Sequence, residues 1–204
     1  MKKKWLSIIF WGSIWGIAEA TLGHVLHMVS MALPGLPGFV MFPVAFFFMR
    51  KVYLENRKPQ AVFYAAAIAA GIKLVDFLVP GSIPLRIVNP AISILMEGLA
   101  VAMVFAYVNS RDKKFGFMES FFSGLLWRGM WVVYLVAISL FNLPAELVTS
   151  GPLIALRFLI MESLVNAALI FVQLKFISPV GSTNRRPVFV YGAFLIALLL
   201  QIVF

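Results

Sequence analysis

Long apolar runs, interrupted at intervals by short basic clusters, set the pattern of this chain. Runs at about 5–29, 60–79, 90–108, 117–141 and 152–177 come close to or exceed the ~20 apolar residues that an α-helical bilayer crossing needs. A shorter run, 39–49, contains Pro43 and predicts a helix broken there, because proline has no N–H to donate. A last run, 187–204, is only just long enough to cross, so six and seven crossings both fit. Pro34-Gly35, Pro37-Gly38 and Pro80-Gly81 mark turns between the runs. The pattern predicts an all-α fold, a polytopic membrane bundle of six or seven transmembrane helices forming one domain over 1–204.

Composition sharpens the class. The 204 residues are 62% hydrophobic and 12% charged, with mean hydropathy +0.98, against roughly 25% charged in a soluble domain. The net charge of +9 could suggest a nucleic-acid partner, but its location argues against one. Lys2, Lys3, Lys4, Arg50, Lys51, Arg57, Lys58, Arg111, Lys113, Lys114, Lys175, Arg185 and Arg186 sit at segment ends, the pattern of cytoplasmic loops. A multi-pass cell-membrane protein with a cytoplasmic N-terminus, surrounded by lipid, is expected. No convincing small-residue cleavage site follows the first run, which reads as a retained helix. The absence of cysteine excludes disulfides, thiolate metal sites and cysteine nucleophiles.

Polar residues within the apolar runs carry the functional signal. A charge at the bilayer centre costs about 2.5–3.5 kcal/mol on insertion scales, so such residues turn inward and mark functional sites. Glu19, Lys73, Asp76, Glu97, Arg128, Arg157 and Glu162 lie at the middle and outer depth of this topology, with Arg86 and Asn89 at the outer mouth. Helical spacing puts Asn89, Ser93 and Glu97 on one stripe, Glu162 and Asn166 on another, and Lys73 within pairing distance of Asp76. Glu19 shares a face with Gly12, Gly16, Ala20 and Gly23. Arg128 and Arg157 have no acid at favourable spacing in their own helices, so an acid elsewhere or an anionic ligand should complete them. The short likeness of 94–99 to 159–164 also hints at a parallel duplication that would make Glu97 and Glu162 equivalent.

Three functions compete on these residues. The first is a solute-binding transport component with an outward polar pocket for a small anionic or zwitterionic substrate, lined by Glu19, Lys73, Asp76, Arg86, Asn89, Glu97, Arg128, Arg157, Glu162 and Asn166. The second is a non-catalytic membrane subunit or assembly factor whose four acids (Glu19, Asp76, Glu97, Glu162) and four bases (Lys73, Arg86, Arg128, Arg157) neutralise one another. The third is an intramembrane hydrolase or lipid-modifying enzyme, although no HExxH motif, nucleophile elbow or phosphate-cradling loop is present. His24 and His27 share one helix end and read as interfacial or pocket-lining rather than as metal or haem ligands. No metal or cofactor is implied.

In length, apolar character and small-residue faces the chain resembles the substrate-binding S components of energy-coupling factor transporters. The carrying features are Gly12, Gly16 and Ala20 at four-residue steps, and the alanine-rich stretch from Ala61 to Gly71. The resemblance implies uptake of a vitamin-type solute and a shared transmembrane coupling subunit driven by ATPases. It also implies a docking face formed by Gly12, Gly16, Ala20, Ala66 and Ala70. Three departures stand out: glycine replaces most alanines in the first helix, a seventh helix would put the C-terminus outside, and the Glu19 stripe would serve both pocket and docking.

Overall fold

Proline marks where helices begin. Pro59, Pro84 and Pro152 each open a helix, where a missing N–H leaves no hydrogen bond unmade and the fixed φ suits the first turn. The structure, a computed structural model, describes residues 2–29, 36–177 and 186–203. Pro34, Gly35, Arg185 and the side chains of Lys2 and His27, all named above, lie outside the described residues. Among the described residues six helices are long and apolar enough to cross a membrane: α1 (Lys3–Leu26), α2 (Pro37–Asn56), α3 (Pro59–Leu78), α4 (Pro84–Ser110), α5 (Phe117–Ser139) and α6 (Pro152–Phe176). A shorter apolar helix, α7 (Pro187–Val203), follows. The protein is thus an all-α membrane bundle.

Two of these helices differ from their predicted extents. The predicted break at Pro43 does not occur: α2 continues through it to Asn56. Likewise α4 starts at Pro84, leaving Pro90 inside the helix. An internal proline removes one helical hydrogen bond, and packing on neighbouring helices holds the chain straight where that bond is replaced.

The helix with the least convincing sequence signal is the central one. α2 packs on α1, α3 and α6, and its Phe42, Ala45, Phe46, Met49 and Val52 have no exposed surface. Around it α1 pairs with α3, α3 with α4, α4 with α5, and α5 with α6. This order does not mirror a duplication relating α1 to α5 and α4 to α6, because α1 packs chiefly on α3 and α7 while α5 packs on α6. α7 lies along α1, and its Gln201 donates to Asp76 Oδ1 at 2.6 Å near the end of α3. It therefore runs from the end of the bundle where α1 starts, the basic end, to the opposite end. Arg50 Nη1 donates to the Ile177 carbonyl at 3.0 Å, tying α2 and α6 together at the basic end.

Small residues let the helices approach. A Cβ on Gly12 would lie 2.8 Å from the Ala65 carbonyl oxygen, one on Gly16 2.8 Å from Ile72 Cδ1, and one on Gly98 2.2 Å from Ala66 Cβ. Without a hydrophobic force between helices in lipid, such close backbone packing is a main source of association. Gly98→Ala should therefore lower stability by about 1–3 kcal/mol through overpacking. Adding Ala66→Gly should restore most of the loss. Thermal unfolding of the three variants in detergent checks this, and an unrescued double variant would refute the α3–α4 contact.

Candidate functional site

Polar residues collect at three depths. At the basic end, Glu55 accepts hydrogen bonds from Ser7 Oγ and from Trp11 Nε1 (3.1 Å), while Asn56 Nδ2 donates to the Val52 carbonyl at 2.9 Å. Lys51, expected at a helix end, is buried with its ammonium 5.2 Å from the centre of the Phe47 ring, because α2 runs on to Asn56, about two turns beyond its apolar stretch. Sequence reasoning passed over Glu55. The available signal was its i, i+4 spacing from Lys51, which puts both on one face of a continued helix.

At middle depth Arg128 is fully buried on α5. Its Nη2 donates to Asn166 Oδ1 on α6, lies 3.4 Å from the Gly38 carbonyl on α2, and stands 3.6 Å from Glu162 Oε2. The guanidinium faces three rings, with its carbon 4.5 Å from the Trp127 centroid, 5.2 Å from Phe158 and 5.9 Å from Phe42. Asn166 in turn donates through Nδ2 to the Phe39 carbonyl at 2.9 Å. That carbonyl would bond the amide of residue 43 in an ordinary helix, and residue 43 is proline. Asn166 therefore replaces the hydrogen bond that Pro43 removes, which is why α2 is not broken.

Glu97, on α4, is the other wholly membrane-embedded acid of this cluster and is buried. Its Oε1 accepts a long hydrogen bond from Ser93 Oγ at 3.4 Å, its Oε2 has no hydrogen-bond partner among the described residues, and the charges of Arg128 and Glu19 act on it. Arg128 Nε and Nη1, Trp127 Nε1, Glu162 Oε2 and Ser163 Oγ are also buried without hydrogen-bond partners among the described residues, although Glu162 Oε2 has Arg128 at ion-pair distance. Such atoms cost free energy unless water or a ligand satisfies them. Asn89, on the predicted stripe with Ser93 and Glu97, accepts from the Tyr134 hydroxyl at 2.7 Å.

Helix irregularities fall on the same residues. α1 changes to a π-helical turn at Glu19–Gly23 and α6 does so at Arg157–Met161, immediately before Glu162. Such turns are rare and are frequent at functional sites. Glu19, half-buried, accepts from Trp15 Nε1 at 2.9 Å.

Towards the end opposite the basic one, Lys73 and Asp76 form the predicted local pair at 2.8 Å, with Gln201 as a third member. Arg86 and Arg157 are exposed. The ten residues expected to line one pocket are thus divided. Arg128, Glu162 and Asn166 touch; Glu97 stands within electrostatic reach; Lys73 and Asp76 pair with each other; Arg86 and Arg157 stay at the surface. Arg157 still acts electrostatically on Glu162, but it does not join Arg128 in a clamp. Arg128, Asn166, Glu97 and Glu162 are all buried. A groove of about 830 Å³ between α4 and α5, lined by Met96, Leu99, Phe122, Leu126, Gly129 and Tyr134, is almost wholly apolar.

The five small residues assigned to docking are covered within the chain. Gly12 and Gly16 pack against α3, and Ala20, Ala66 and Ala70 are buried. Among the described residues, no three His, Cys, Asp or Glu side chains gather as metal ligands would. No family model, curated protein or solved structure matches this chain.

Because Asn166 serves both Arg128 and the Phe39 carbonyl, Asn166→Ala should cost about 1–3 kcal/mol by leaving buried polar groups unpaired. Pro43→Ala in that background should recover part of the loss, since residue 43 then supplies an amide to Phe39. Denaturation of the single and double variants measures the coupling, and strict additivity would refute it.

Proposed function

We propose that this chain is a solute-binding component of a membrane transport system, sited in the cell membrane with its N-terminus in the cytoplasm. The site would be built from Glu97, Arg128, Glu162 and Asn166. The observation that carries this reading is the incomplete satisfaction of the cluster. Glu97 Oε2, Arg128 Nε, Arg128 Nη1 and Ser163 Oγ are buried without hydrogen-bond partners. A purely structural network in lipid gains nothing from such atoms, whereas a solute site needs donors and acceptors that its ligand completes. Two π-helical turns at the charged positions, and a proline-freed carbonyl taken by a side chain, support the same reading. Irregular helices at mid-membrane depth are how transport sites expose polar groups without opening backbone to lipid.

Burial of all four residues makes this an occluded arrangement, which a solute entering from outside would have to open. The resemblance to S components belongs to the same proposal, with a transmembrane coupling subunit and its ATPases as the partner. That partner would have to meet residues other than Gly12, Gly16, Ala20, Ala66 and Ala70, which are covered here. The second reading, a structural charge network, is favoured by one observation. Arg128 already has Glu162 and Asn166 within the chain.

Mass spectrometry of small molecules released from the purified, full-length protein separates the two. One solute per chain is expected in the wild type and none in Glu97→Gln that keeps its helical circular dichroism. A wild-type protein that releases nothing, and that no added solute stabilises, would leave only the structural network.

A further inference from the structure

The charge balance of the buried cluster bears on what it binds. Three of its groups are ionisable and nine-tenths or more buried: Arg128 at 0% exposure, Glu162 at 5% and Glu97 at 6%. One guanidinium therefore stands against two carboxylates, and half-buried Glu19 adds a third acid whose charge acts on Glu97. Lys73 acts on Glu19, but it is itself held at 2.8 Å by Asp76 and so brings no net charge. Arg86 is exposed, and exposed Arg157 acts on Glu162 rather than on Glu97.

Arg128's positive charge is already directed. Glu162, Asn166 and the Gly38 carbonyl surround its Nη2, and three ring faces, each negative at its centre, stand against the guanidinium. Glu97 has no such arrangement. Its single hydrogen bond is the 3.4 Å contact from Ser93, and Oε2 has none. With both acids ionised, an added anion would raise the excess of negative charge in a region of low dielectric, whereas an added cation would cancel it.

We propose that the ligand of this cluster is a small organic cation, an amine or guanidine, that pairs with Glu97, the buried carboxylate that has no ion-pair partner among the described residues. This inference rests on the solute-binding reading and replaces the anionic or zwitterionic class that Arg128 and Arg157 first suggested. A cation at Glu97 takes the place of the missing hydrogen-bond donor and of the missing counter-charge together. Arg128 keeps its seat between the rings and Glu162, and is a positioning residue for the acids.

The test uses full-length protein in a neutral detergent at constant ionic strength. Choline, putrescine and agmatine serve as cationic probes, and acetate, glutarate and phosphate as anionic ones. At least one cation should raise the thermal midpoint of the wild type by about 5 °C when present at a hundred times its dissociation constant. Glu97→Asp, which keeps the charge, should retain a smaller shift, and Glu97→Gln should lose it while unfolding cooperatively. Stabilisation by anions alone would overturn the cationic assignment and leave the solute-binding reading standing. A zwitterion-only response, probed with glycine betaine and γ-aminobutyrate, would overturn it in the same way. If neither class shifts the wild type and Glu97→Gln is as stable as the parent, Glu97 simply carries a proton and both proposals fall.

Discussion

A guanidinium with no exposed surface, in the middle of a chain that crosses a membrane, is the constraint around which this bundle is organised. Arg128 cannot be left to lipid, and its partners come from three helices. Glu162 and Asn166 are supplied by α6, the Gly38 carbonyl by α2, and the flanking Trp127 by α5 itself. Meeting that requirement fixes how α2, α5 and α6 sit against each other. Gly124, one turn before Arg128, lies at the same contact: a Cβ there would stand 3.4 Å from Arg128 Nη1 and from Ser163, ordinary van der Waals distance.

The same contacts repair the central helix. Pro43 deprives the Phe39 carbonyl of its donor, and Asn166, already held by Arg128, supplies another. Gln173, two turns further along α6, donates to the Pro43 carbonyl at 3.2 Å. One face of α6 thus serves as a polar seam along α2, so charge burial and helix continuity are parts of a single network. Loss of any member leaves another buried group unpaired, and the energies are not separable by residue.

Away from this seam, α1 and α4 join α3 through small residues rather than through charge. Gly12, Gly16 and Gly98 bring α1 and α4 onto α3 at backbone distance. This divides the molecule into a tightly packed α1–α3–α4 side and a polar α2–α5–α6 side, with Glu97 on α4 at the boundary. An acid with one poor hydrogen bond at such a boundary is where a solute would be most readily completed.

The fold class was legible from hydrophobic run length alone, because lipid demands helices of a minimum length and composition. The start of a helix at Pro152, that of another within one residue of Pro59, and the Lys73–Asp76 pair were also legible, since each depends on local geometry within one helix. The stripes Asn89–Ser93–Glu97 and Glu162–Asn166 were readable for the same reason. What local spacing could not determine was which stripes meet. Periodicity put Arg128 and Arg157 at similar depth and suggested one anion clamp, yet only Arg128 turns into the bundle. It broke α2 at Pro43, because the replacement donor lies 127 residues away in sequence from the Phe39 carbonyl it satisfies. The resemblance to S components implied Gly12, Gly16 and Ala66 as an outer face, although the same smallness equally suits them to contact within the chain. Sequence by itself determined that this protein lives in a membrane as helices, with charges that must be turned inward. Only the tertiary structure decided which charges find one another and which, like Glu97, are left short of a partner, because that depends on contacts between helices and not on the order of residues along one.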